Sequence, residues 1–181
     1  QMINYATELQ PIPMGIIVST IMGMILTAPI SSAAIAISLK LSGLAAGAAT
    51  VGCCAQMVGF AVASFRENKF GGLISQGLGT SMLQVPNIVK NPLIWIPPTL
   101  TSAILGPIAS AVFKMRSNPT GAGMGTSGLV GQFATIETMG LSSLPAIILL
   151  HFIAPAVLTL IFSEIMRKKG WIKYGDMKLD V

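Results

Sequence analysis

LSGLAAGAATVGCCAQMVGFAVASF, residues 41–65, runs from Lys40 to Arg66 without a charged side chain and is built largely from glycine, alanine and valine. As a helix rising 1.5 Å per residue it would reach about 37 Å, enough for a hydrocarbon core of about 30 Å. Gly43 and Gly47 stand at GxxxG spacing, and small residues let helices approach closely in lipid, where little hydrophobic force acts between them. The stretch therefore reads as a packing helix. Its one amide, Gln56, is placed either to bond across helices or to line a cavity. Cys53 and Cys54 are the only cysteines. Adjacent and inside an apolar run, they read as small packing residues, implying neither a disulfide framework nor a metal site.

The rest of the chain follows the same pattern. Charge-free runs cover Leu9–Leu39, Phe70–Val89, Asn91–Phe113, Ser117–Ile136 and Thr138–Ser163. The 181 residues are 52% hydrophobic and 9% charged, with a mean hydropathy of +0.76, whereas a soluble domain carries about 25% charge. An integral membrane protein is the class this composition dictates. The net charge of +5 sits in short connectors and in Arg167, Lys168, Lys169, Lys173 and Lys178. That is positive-inside placement, with the C-terminus cytoplasmic. No basic stripe with interleaved aromatics suggests nucleic acid. No basic region or cleavage site frames the first apolar run, and Gln1 reads as the start of one portion of a longer membrane protein.

Several runs are interrupted. Pro29 divides Met14–Ser38 into either one kinked helix or a broken pair, since proline removes a helical hydrogen bond and clashes with the preceding turn. FGGLISQGLGTSMLQVPNIV (70–89) is long enough to cross, but its glycines, amides and proline suit a re-entrant hairpin buried in protein better than a lipid-facing span. NPLIWIPPTLTSAILGPIASAVF (91–113) reads as a helix starting near Trp95, at the headgroup boundary. LSSLPAIILLHFIAPAVLTLIFS (141–163) is the final span, and 167–181 an interface tail with Trp171 and Tyr174. If the C-terminus is cytoplasmic and only the last run crosses after Arg116, then Lys114 and Arg116 lie outside, against their preference; a further partial crossing by 117–136 would remove that conflict. The expected fold is an all-α polytopic membrane protein with broken helices and re-entrant hairpins.

One carboxylate stands apart, at the end of GMGTSGLVGQFATIETMG (123–140). A charge at membrane depth is costly and faces a cavity or another polar group. Glu137, with Gln132, Thr135 and Thr138, offers donors and acceptors suited to sugar hydroxyls, and the glycines let backbone approach a ligand. The competing reading is a membrane-surface turn with Glu137 solvated. His151, the only histidine, lies inside the last apolar run, either for proton transfer or as a neutral partner of a neighbouring helix. No Walker loop is present, no convincing hydrolase triad forms around a lone histidine, and no cofactor or metal is expected.

LTAPISSAAIAISL (26–39), GGLISQGLGTSMLQVPNI (71–88), NPTGAGMGTSGLVGQF (118–133) and IFSEIMRKKGWIKYGDMKLD (161–180) resemble the predicted toxin-regulator group related to IIC, the membrane component of bacterial sugar phosphotransferase systems. The resemblance covers nearly the whole chain and implies the C-terminal half of a longer protein, with an N-terminal membrane half not included. It implies a dimeric IIC-like fold in a bacterial plasma membrane, with re-entrant hairpins around a sugar site and a cytoplasmic phosphorylated IIB partner as phosphoryl donor. A pocket built from 71–88 and 118–137 would draw on Gln84, Asn87, Asn118, Gln132, Thr135, Glu137 and Thr138. Glu137 matches the family's sugar-binding glutamate, although Thr138 stands where a proline is usual; His151 compares with the family histidine by residue type alone. The function so implied is a sugar permease, with a regulatory sensor that binds without transport as the alternative.

Overall fold

The computed structural model describes residues 1–180 and builds them almost entirely from helices. In chain order these are α1 (Met2–Leu9), α2 (Pro11–Thr27), α3 (Ser32–Ser38), α4 (Gly43–Ala63), α5 (Phe65–Ile74) and α6 (Val85–Lys90), followed by α7 (Pro92–Val112), α8 (Pro119–Met124), α9 (Val130–Met139) and α10 (Leu141–Lys168). Among the described residues, α4, α7 and α10 are long and apolar enough to cross a membrane, and α2 is a shorter apolar helix.

The stretch first read as a packing helix is the axis of the molecule. Every residue of α4 from Leu44 to Ala61 is buried, because small side chains leave room for neighbours on all sides. A Cβ on Gly52 would overlap the backbone of Ser19 in α2, and one on Gly47 would overlap the Met115 carbonyl. Where the three backbones meet, Ser19 Oγ donates to Ser102 O (2.7 Å) and Ser102 Oγ donates to Gly52 O (3.0 Å). Close van der Waals approach and interhelical hydrogen bonds are what hold helices together in lipid. Gln56 takes the cross-helix option: its Oε1 accepts from Thr27 of α2 (3.0 Å) and from the Trp95 indole (3.0 Å), and its Nε2 donates to Thr99 of α7 (3.0 Å). Trp95 is thus turned inward as a partner of Gln56, which the headgroup-boundary reading did not foresee.

α10 is the opposite case. It is the more apolar of the two and most of its length is at least partly exposed, whereas α4 is almost wholly buried. Lipid-facing positions must be apolar, while protein-facing ones must be small. α10 also contains a wide π turn, Ile148–Ile153, just before Pro155, whose ring would otherwise collide with the carbonyl four residues back.

Three broken hairpins fill the space between these spans. The break at Pro29 resolves as a separated pair: Ala28 is extended, Ser31 Oγ caps α3 by accepting from Ala34 N (3.3 Å), and α3 doubles back toward the end where α2 began. Asn4 then ties down that end through Lys40 O and Ser42. The second hairpin leaves the far end of α4 as α5, turns through Ser75–Gln84 and returns as α6 to the same end. The third is α8, a Gly125–Leu129 turn and α9. Gly125 (φ 54°, ψ −128°) takes a conformation that residues with a side chain rarely adopt.

The third hairpin begins beside Arg116 and ends beside it, since Arg116 N approaches Met139 Sδ. It does not cross, so the charge conflict is not removed that way. Lys40, Lys114 and Arg116 share one end with α1, whereas Arg66, Lys69, Lys90 and the basic residues from Arg167 onward share the other. The imbalance between a sparse end and a basic end is what remains of the positive-inside pattern.

Candidate ligand site on the third hairpin

The three hairpin tips meet near the middle of α4. Thr27 Oγ1 and Ser81 Oγ lie 2.8 Å apart, Thr126 Oγ1 donates to Gly77 O, and Ser32 Oγ donates to Gly123 O (2.6 Å). A Cβ on Gly123 would sit 2.5 Å from Ala33 Cα, so that glycine is what lets α8 lie against α3. Ser31, Thr80, Ser127 and Met57 line a small cavity here of about 150 Å³. That is below the ~300–1,000 Å³ of ordinary small-molecule pockets. The tips are closed on one another.

At the base of the third hairpin, on the sparse end, a larger groove of about 410 Å³ opens between α8 and α9. Asn118 caps α8, its Oδ1 accepting from Gly121 N (3.0 Å), which turns its Nδ2 toward Glu137 Oε2 (3.1 Å). α9 places Glu137 one turn after Phe133, and both line the groove with Asn118 and Thr120. Phe133 is 65% exposed. A carboxylate and an amide held at hydrogen-bonding distance next to an exposed ring offer polar edges and an apolar face on one wall.

The remaining residues named from sequence fall elsewhere. Gln132 points from α9 into the protein, its Nε2 3.0 Å from His151 Nδ1 and 3.5 Å from Cys54 Sγ. Gln132 Oε1 and His151 Nε2 are buried without a hydrogen-bond partner among the described residues. Thr135 is buried and bonds back to Gly131 O (2.8 Å), while Thr138 is exposed and bonds to Ala134 O (2.8 Å). Gln84 and Asn87 belong to the second hairpin. Gln84 Nε2 donates to Gln76 Oε1 (2.8 Å) and Met177 O (3.0 Å), and Asn87 Nδ2 donates to Gln84 Oε1 (2.9 Å) and Lys178 O (2.8 Å). They form an amide ladder that holds the C-terminal tail, joined by Asn68, which pairs with both Met177 O and Leu179 N at 2.8 Å. Phe133 was not singled out from sequence; its place four residues before Glu137 on a helix was the available signal, because that spacing puts two side chains on one face.

The family model described as "Phosphotransferase system, EIIC" matches residues 1–179. No curated protein and no solved structure matches the chain. With nearly its whole length matched, and with spans and broken hairpins that fit such a membrane fold, the chain belongs to the EIIC family of the phosphotransferase system.

Proposed function

We propose that the chain acts as the membrane permease component for a small neutral sugar, which is first met in the groove formed by Asn118, Phe133 and Glu137. The observation that carries this reading is the convergence of Glu137 and Asn118 at 3.1 Å in a groove of about 410 Å³ beside an exposed ring. Sugars present hydroxyls around an edge and apolar C–H groups on a face, so a carboxylate–amide pair next to Phe133 is complementary to both. Glu137 uses Oε2 toward Asn118, leaving Oε1 for the ligand. The Asn118 amide keeps the carboxylate in place.

The basic end then takes the cytoplasmic role, by the positive-inside argument, and the protein lies in a bacterial plasma membrane. In this reading the groove faces outward, the meeting of the hairpin tips is the closed barrier, and passage requires the tips to part. Phosphate would come from a separate IIB protein on the basic side; the permease supplies position and orientation. Gln132 and His151, linked at 3.0 Å between α9 and α10, would hold the arm that carries Glu137 while the tip moves.

A regulatory sensor that binds the same ligand without moving it is the second reading. It is favoured by Thr138 in place of the usual proline and by the toxin-regulator resemblance. The test is uptake and phosphorylation of labelled sugars by the full-length protein in sealed vesicles supplied with IIB and its phosphoryl donors. Saturable binding with neither uptake nor phosphorylation would reject the permease and retain the sensor. Glu137→Gln should weaken binding about 10-fold or more, the loss of a hydrogen bond to a charged group. Unchanged affinity removes Glu137 from the site.

A further inference from the structure

A second groove, of about 400 Å³, lies at the other end of the molecule, between α6 and the C-terminal tail. Its apolar lining comes from Leu83, Pro86 and Leu179, of which Leu179 is buried, Leu83 half-buried and Pro86 exposed, and Thr80 of the second hairpin tip also lines it. Lys90, Lys178 and Asp180 line it too, and all three are exposed. Among the described residues neither lysine has a carboxylate within ion-pair distance. The other acids nearby are engaged elsewhere: Glu67 with Arg167, Glu164 with Arg66, and Asp176 with Asn91 and the Lys173 amide.

The geometry points to a binding site for one anionic phospholipid, its phosphate at Lys90 and Lys178 and an acyl chain along Leu83 and Pro86. Two features favour a lipid over a soluble anion. The groove sets the exposed Lys90 and Lys178 beside apolar Leu83, Pro86 and Leu179, a pairing of charge and hydrocarbon that matches a phospholipid and leaves a small anion touching only the polar part. Trp171 and Tyr174 stand exposed on the same tail, with the Lys169 ammonium 4.9 Å over the Trp171 ring, and such residues settle at headgroup level. A lysine near an anionic leaflet is attracted to it electrostatically, and that attraction is screened by salt. Asn87 lines the groove while bonding the tail at Lys178 O, so a lipid seated there would touch both α6 and the strand of chain clamped to it.

The test is native mass spectrometry of the full-length protein released from nanodiscs of equimolar phosphatidylcholine and phosphatidylglycerol. The wild type should retain one phosphatidylglycerol in preference to phosphatidylcholine. Lys90→Gln with Lys178→Gln should lower that preference about 10-fold, and Leu83→Trp, which keeps both lysines and adds bulk to the groove wall, should lower it as well. Lys40→Gln with Lys114→Gln, at the sparse end, should leave it unchanged. Circular dichroism and elution volume confirm that each variant is folded. Equal retention by the wild type and the Lys90/Lys178 variant overturns the site. So does equal loss from the Lys40/Lys114 variant, which would mean diffuse attraction. Glycerol phosphate binding as tightly as the intact lipid would make it a soluble-anion site, and a crosslink from Leu83 to protein in place of lipid would make it a protein interface. Sugar uptake is not read in this experiment, so its failure leaves the permease reading standing.

Discussion

Removing Arg167 should loosen the basic end more than any other single charge change. Arg167 Nη2 lies 2.9 Å from Glu67 Oε1, with side chains 9% and 0% exposed, and it also donates to Ala63 O (3.2 Å). At 2.9 Å and an effective dielectric of about 20, the gross attraction is about 6 kcal/mol, much of it offset by the cost of taking both ions out of water. The asymmetry lies in what removal leaves behind. Arg167→Met strands the Glu67 carboxylate with only the Gly175 N–H at 3.3 Å, and an uncompensated buried charge costs about 3–5 kcal/mol. Adding Glu67→Gln removes that charge and should recover more than half of the loss. Thermal unfolding in mild detergent, followed by elution volume after heating, measures the stability. Trypsin cleavage at Lys173 measures the tail, because Gly175 is held by the same carboxylate. A loss below about 1 kcal/mol for Arg167→Met, or a double variant no better than the single, refutes the reasoning.

Gly52→Ala should destabilise the α2–α4 contact by about 1–3 kcal/mol or more, since the added methyl meets the Ser19 backbone; a change within 0.5 kcal/mol, a threshold below about the smallest overpacking cost, would show that the helices can simply part. Gln56→Leu strips the acceptor from both Thr27 and Trp95 and should cost about 1–3 kcal/mol while shifting Trp95 emission; with Trp171→Phe as background the spectrum reports Trp95 alone, and an unaltered spectrum rejects the hydrogen bond. Gln84→Ala should leave the spans intact and speed proteolysis of residues 171–180, because Met177 O loses one of its two side-chain donors. Equal cleavage rates would mean that Asn68 and Asn87 suffice.

The spans were legible because charge is so sparse that each charged cluster marks an end. The breaks at 71–79 and 121–131 were legible because glycines cost a helix backbone entropy and leave no apolar side chains toward lipid, whereas Pro29, which removes one helical hydrogen bond, left both a kink and a full break open. What could not be read was direction. Whether 117–136 crosses or returns depends on Gly125 turning the chain and on Asn118 meeting Glu137, contacts that spacing along the sequence does not encode. Gln84 and Gln132 illustrate the same limit. Each is an amide in an apolar run, and nothing local says that one faces a tail carbonyl 93 residues away and the other a histidine 19 residues away.

The complete enclosure of α4 has a consequence for how the protein is made. Chains enter the membrane from the N-terminus onward, so α4 is the first of the three long spans to appear and the one least suited to standing alone in lipid, with its glycines and Gln56 uncovered. α7 and α10, which will shield it, do not yet exist. α2 does, and it already carries Ser19 and Thr27, the groups that meet Gly52 and Gln56. The pair α2–α4 therefore forms a natural insertion unit. A lesion in α2 would be felt during biogenesis, as a span lost from the bilayer before any ligand is met.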